Sequence, residues 1–89
     1  MADTLPDLAD IEGIVSPVER ARVLTTLSRR FGTLPTPYAK ARDRALAQAR
    51  DDEGRRVVWI AERVGLTPSR ISQLANRAAS ALAGEAAAA

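Results

Sequence analysis

Residues 57–76 read VVWIAERVGLTPSRISQLAN, and this stretch decides the fold. Val57, Ile60, Ala61 and Val64 recur at three- and four-residue steps and stop at Gly65. Thr67-Pro68 supplies a capping hydroxyl and a proline at the first helical position, and Ile71, Leu74, Ala75, Ala78 and Leu82 follow as a second inward stripe. The pattern predicts two short helices, about 56–64 and about 68–82, arranged as a helix-turn-helix. Ala61 falls where the two helices cross and only a small side chain fits. Gly65 occupies the turn, where a positive φ is needed. Ile71 is the inward β-branched residue of the second helix, Leu74 stands behind it, and Ile60, Val64 and Leu66 complete the core positions.

Upstream, Ser16-Pro17-Val18-Glu19 has the form of a capping box, with proline at the first helical position. Val18, Ala21, Leu24, Leu27 and Phe31 then form one stripe, so a helix is expected over 17–31, closed by Gly32. Thr36-Pro37 repeats the cap-plus-proline signal and opens a helix expected over about 37–52, with Tyr38, Ala41, Ala45, Leu46 and Ala49 on its apolar face. Asp51, Asp52 and Glu53 crowd its C-terminal end, where the helix dipole disfavours acids, so fraying is expected before Gly54. Residues 1–15 show no clear period and read as a flexible acidic arm with at most a short turn at 7–12; residues 84–89 read as a flexible Ala-rich tail. The expected organisation is therefore one all-α domain over 16–83: a helical hairpin followed by the helix-turn-helix, about four helices in total.

Composition agrees with that class. The chain has 89 residues, enough for one small domain. Apolar residues make up 46%, but alanine supplies 18 of them and only Phe31, Tyr38 and Trp59 are aromatic, which suits close helix packing better than stacked sheets. There is no Cys and no His, which removes disulfides, thiolate metal sites and the commonest general base. The three acids at 51–53 point in different directions and make no metal site; no cofactor and no catalysis are expected. No apolar run approaches the roughly 18 residues of a membrane span, and the N-terminus lacks a basic leader, so a cytoplasmic, nucleoid location is expected. Twelve of the thirteen basic residues are Arg, a compositional hint of a GC-rich bacterial genome.

Net charge is +2, yet the distribution is uneven. Residues 1–15 hold four acids and no base, whereas 55–83 hold Arg55, Arg56, Arg63, Arg70 and Arg77 against Glu62 alone. A basic C-terminal half points to a polyanion partner. With Ile71 set at zero on a helical wheel, Ser69, Asn76, Ser80 and Gln73 fall at about 140–200°, Ser72 at one edge, and Arg70 and Arg77 at about 240–260°. Uncharged donor–acceptor groups flanked by Arg suit base-edge reading beside phosphate neutralisation, and Gln73 can pair with adenine N6 and N7 together. Arg70 sits in the first turn, where the dipole repels a cation, so it reads as a phosphate or guanine contact rather than a solvated surface side chain. Arg55 and Arg56 precede a helix N-terminus and read equally as phosphate ligands or as a solvated helix start. Arg63 reads as a surface residue, Trp59 as core or interface packing, and Lys40–Arg44 as ion pairs along a wet helix face.

The run Gly65-Leu66-Thr67-Pro68-Ser69-Arg70-Ile71-Ser72-Gln73-Leu74, within 54–82, resembles the promoter-reading helix-turn-helix of bacterial sigma factors, domain four, most of all the flagellar and sporulation branch. Gly65, Thr67, Ser69, Arg70, Ser72 and Gln73 match that pattern, and the resemblance implies DNA contact at those positions; Pro68 stands where the family often has Glu or Arg. The likeness covers about a third of the chain and nothing resembles the promoter-melting domain. Residues 16–22, followed by a helix and this motif, are also similar to small helix-turn-helix regulators of actinobacteria. The expected function is thus sequence-specific binding of double-stranded DNA by a bacterial transcription regulator. The expected DNA-contacting set is Thr67, Ser69, Arg70, Ser72, Gln73, Asn76, Arg77, Arg55 and Arg56. A homodimer through the first two helices is expected, using Val23, Leu34, Tyr38 and the alanines between 39 and 49, with RNA polymerase as a further partner. The alternatives are a nucleoid-associated binder of low sequence preference and a module that docks on RNA polymerase or a sigma factor.

Overall fold

The computed structural model describes residues 4–88, which form helices and loops and contain no strand. Five α-helices run in order among them: α1 (Leu8–Glu12), α2 (Pro17–Phe31), α3 (Thr36–Ala47), α4 (Val57–Val64) and α5 (Pro68–Ala88), with a π-helical turn at Gln48–Asp52 after α3. The all-α class and the hairpin-then-helix-turn-helix order expected from the sequence are both present. α3 lies at the centre, packed chiefly against α2 on one side and α5 on the other, while α4 bridges α2 and α5.

Small residues make this packing close. Half of the sixteen buried apolar residues described are alanines, and Leu24, Leu46, Ile60, Ile71 and Leu74 are the largest side chains fully enclosed. The main cluster joins Val18 and Ala21 of α2, Leu46 of α3, Ile60 and Val64 of α4, and Ile71 and Leu74 of α5. A second, smaller cluster joins Ile11, Leu24 and Ala41, with Leu8, Ile14, Val23, Leu27, Leu34 and Tyr38 packed around it.

That second cluster corrects the reading of residues 1–15 as a flexible arm. From Leu8 to Glu12 the segment is helical, and Ile11 is only 3% exposed. The segment has no period of its own, and three polar tethers hold it in place. Tyr38 donates its hydroxyl to the Pro6 carbonyl at 2.7 Å, Arg44 pairs with Glu12 at 3.3 Å, and the Arg20 guanidinium donates to the carbonyls of Ile14 and Val15. Val23, Leu34 and Tyr38, part of the surface expected to pair with a second copy, are half-buried and pack against this same cluster. Residues 1–3 of the expected arm, and Ala89 of the expected tail, lie outside the described residues.

Further differences are local. α2 begins as its cap foretells, with the Glu19 N–H donating to Ser16 Oγ at 3.3 Å, but the Glu19 carboxylate turns to Arg22 at 2.6 Å instead of reaching back. α3 starts one residue early, because the Pro35 carbonyl, not the Thr36 hydroxyl, accepts from the first N–H groups. Its end widens into the π turn rather than fraying; the Glu53 N–H reaches Gln48 O and the Arg55 N–H reaches Ala49 O, so Ala49 is buried. The helix expected to stop near 82 continues through Gly84 to Ala88, since alanine is the best helix former. Leu82, expected to face inward, is 52% exposed and lies at the edge of a groove beside Lys40, Asp43 and Arg44 of α3. The stretch Lys40–Arg44 is not simply a wet face: Asp43 is 4% exposed and pairs with neighbouring Arg42 at 3.2 Å and, across to α5, with Arg77 at 3.8 Å.

Candidate nucleic-acid interface

The geometry of α4, the turn and α5 follows from a few residues. Ala61 is 5% exposed in the main cluster, which α4 and α5 share, so the two helix backbones come close there. Gly65 ends α4 in the left-handed region, at φ 84°, and its N–H donates to Ala61 O at 2.8 Å. A Cβ at Gly65 would come within 3.0 Å of Arg29 Nη1, because the Arg29 guanidinium caps the turn by donating to the Gly65 carbonyl. α5 opens with the Arg70 N–H donating to Thr67 Oγ1 at 3.2 Å, which commits the Thr67 hydroxyl to capping. Ile71, Leu74, Ala75 and Ala78 are buried, and Ser69, Arg70, Gln73, Asn76, Arg77 and Ser80 are exposed on the other side, with Ser72 half-buried at the edge.

Several of the sequence-chosen side chains are already engaged with one another or with the body. Arg70 Nη1 lies 3.5 Å from Gln73 Oε1, one helical turn on. Asn76 Oδ1 accepts from Arg50 Nη1 at 2.7 Å, and Arg77 leans toward Asp43 while remaining 62% exposed. Arg55 and Arg56 do not form a pair. The Arg55 guanidinium carbon stands 4.5 Å from the centre of the Trp59 ring and that of Arg63 3.7 Å from the same centre, so half-buried Trp59 holds two cations against its ring. Arg56 is exposed and precedes α4 without a side-chain cap.

Sequence reasoning missed Arg50, Arg29 and Asp43, which hold this region in place. Arg50 donates from Nε and Nη2 to the two carboxylate oxygens of Asp51, at 2.7 and 3.0 Å. The hydrogen bond from Arg50 holds the Asp51 carboxyl below the ordinary aspartate range and raises Arg50 in turn. Nothing along the chain signals the π turn that aims Arg50 at α5, 26 positions later. No group of three or more His, Cys, Asp or Glu side chains that could hold a metal occurs among the described residues. A shallow groove between α3 and α5, lined by Lys40, Asp43, Arg77 and Leu82, encloses about 150 Å³. That is below the roughly 300 Å³ at which small-molecule sites begin. No protein-family model, curated protein sequence or solved structure matches this chain.

Proposed function

We infer that this chain is a sequence-specific binder of double-stranded DNA that acts as a bacterial transcription regulator on the nucleoid, with α5 lying in the major groove. One observation carries the reading: a capped helix after a left-handed glycine turn, apolar on one side, that exposes Ser69, Arg70, Gln73, Asn76 and Arg77 together on the other. Those side chains combine phosphate-seeking cations with base-reading amides. The Thr67 hydroxyl serves the helix, so its role is to fix the N-terminus of α5 at the DNA. Arg56 acts as a phosphate ligand, and Arg55 approaches the backbone from its platform on Trp59. Pairing of two copies belongs to this reading, because one recognition helix spans only about four or five base pairs.

Selection of bound duplexes from a random library is the experiment. A specific reader enriches one motif and prefers it over scrambled duplex by about 10³-fold or more. Equal affinity for all duplexes would assign the chain to nucleoid-associated binding instead. No affinity for any duplex would leave docking on RNA polymerase or a sigma factor.

A further inference from the structure

We propose that Arg55 and Arg63, both held against the ring of Trp59, form a phosphate-binding pair that grips the backbone of the duplex. The proposal rests on the DNA-binding reading above. It adds Arg63 as a phosphate ligand and Trp59 as the residue that positions both cations, where residue type and spacing alone leave them as surface and packing.

Arg55, just before α4, and Trp59 and Arg63, on it, follow one another at four-residue steps, the spacing at which helical side chains meet. Trp59 is half-buried and packs against the main apolar cluster, which anchors the ring. With guanidinium carbons 4.5 and 3.7 Å from the ring centre, the two cations lie no more than about 8 Å apart. Neither has a hydrogen bond or an ion pair among the described residues, and exposed Glu62, next to Arg63 in the chain, pairs with neither. Elsewhere arginines are committed to the fold: Arg22 to Glu19, Arg44 to Glu12, Arg50 to Asp51 and Arg29 to the Gly65 carbonyl.

The negative face of the ring attracts each cation but neutralises neither, so the pair keeps its positive charge and its N–H donors. Oxyanions both accept from such donors and cancel their charge. A DNA strand offers them in a row, one phosphate per ~3.4 Å of axis, so the gap between the two guanidiniums spans neighbouring phosphates of one strand. Arg56, exposed beside Arg55 and likewise without a partner among the described residues, extends the same run of charge, which favours a polyanion over a single carboxylate. Arg63 stands two residues before the Gly65 turn that leads into α5, so the pair belongs to the motif that carries the α5 face. Holding both guanidiniums on an anchored ring also reduces the side-chain freedom that binding would otherwise remove.

Trp59 is the chain's single tryptophan, so its emission reports on this site alone. The test titrates the chain with its selected duplex and with scrambled duplex, following the anisotropy of labelled DNA and the quenching of Trp59 by acrylamide. Duplex is expected to shield Trp59 from acrylamide. Arg63→Ala, at an exposed position, is expected to lower the log–log salt slope by about 1 per bound subunit and to weaken selected and scrambled duplex by the same factor. Trp59→Phe keeps a ring and should keep the slope, whereas Trp59→Leu stays apolar toward the core, loses the ring and should lower the slope as Arg63→Ala does. Arg63→Ala keeps the test decisive if Trp59→Leu does not fold. An unchanged slope in Arg63→Ala would overturn the proposal, as would equal quenching of Trp59 with and without duplex. Equal slopes for Trp59→Leu and the unaltered chain would overturn the positioning role of Trp59. Shielding of Trp59 by poly-glutamate but not by duplex would assign the pair to an acidic protein partner and overturn the proposal as well. In each of those outcomes duplex binding persists in the anisotropy, whereas loss of all duplex binding by the unaltered chain removes the underlying function and this inference together.

Discussion

The two ends of this domain bury their apolar surface by different means. In the α4–α5 half, Ile60, Val64, Ile71 and Leu74 are all 2% exposed or less, and every one belongs to a helix whose own period announces it. In the N-terminal half, Leu24 and Ala41 are covered by Ile11, which belongs to a five-residue helix with no period to speak of. So short a helix is not stable alone in water and owes its order to tertiary contact. The lesson is that long-range tethers, here Tyr38 to Pro6 and Arg20 to the Ile14 and Val15 carbonyls, can order a segment whose local signals say loop.

The largest effect should separate the two halves. Leu74→Ala is expected to cost about 2–5 kcal/mol in urea unfolding, since it empties a fully enclosed site in the main cluster. Ile11→Ala should cost less than Leu74→Ala, because a short segment can detach and so limit the loss, and amide exchange should rise at 8–12 while α4 and α5 stay protected. Equal costs, or exchange that rises throughout, would make α1 as integral as the helix-turn-helix.

A smaller effect compares two glycines. Gly65 (φ 84°, ψ 31°) lies in the left-handed region, where alanine should cost about 1–2 kcal/mol in backbone strain, whereas Gly32 (φ 85°, ψ −59°) lies outside it, in a rarer conformation that alanine tolerates less well. Nothing lies within 4 Å of a Cβ at Gly32, whereas Arg29 stands in the way at Gly65. Gly32→Ala should therefore be the costlier change in thermal melts, because the Arg29 guanidinium is the far end of a flexible side chain and can move aside, and Gly65→Ala should cost less in an Arg29→Ala background than in the unaltered chain. Additive effects would show that Arg29 does not brace the turn.

These comparisons also mark what was legible in the sequence. The α4–turn–α5 unit could be read because period, cap and glycine agree within twenty residues, and α2 because Ser16-Pro17 and its stripe agree. The outward and inward faces of α5 could be read as far as Ala78, since they depend only on helical spacing. The docking of α1, the burial of Asp43 and the grip of Arg50 on Asn76 could not, because each pairs residues from different elements. The π turn escaped for another reason. Its acids at 51–52 signal a helix end, but a widened turn and a frayed one have the same composition.

The smallest effect is in pH. The Asp51 carboxyl, bonded by Arg50, and the Glu19 carboxyl, bonded by Arg22, both sit below their ordinary ranges. A depressed folded pKa means that the stabilisation is present above the ordinary carboxylate range of about 4 and is lost as pH falls through the folded value. Carboxyl NMR titration should give an Asp51 midpoint below that of ordinary aspartate, returning to normal in Arg50→Ala. An unchanged midpoint would show that Arg50 is not held by Asp51, which would loosen its hold on Asn76.

The central claim is that α5 binds duplex DNA, and its most direct test is the affinity of the purified chain for its selected duplex as a function of salt. Fluorescence anisotropy from roughly 50 to 200 mM salt covers the range in which counterion release dominates. Five Arg between 55 and 77, supplying about three to five phosphate contacts per subunit, predict a log–log slope near −3 to −5 for a bound monomer and about twice that for a bound pair. Gln73→Ala should cost on the order of 1–3 kcal/mol on the selected site and leave scrambled duplex unaffected. A flat salt response, or no duplex affinity even at low salt, would contradict the claim.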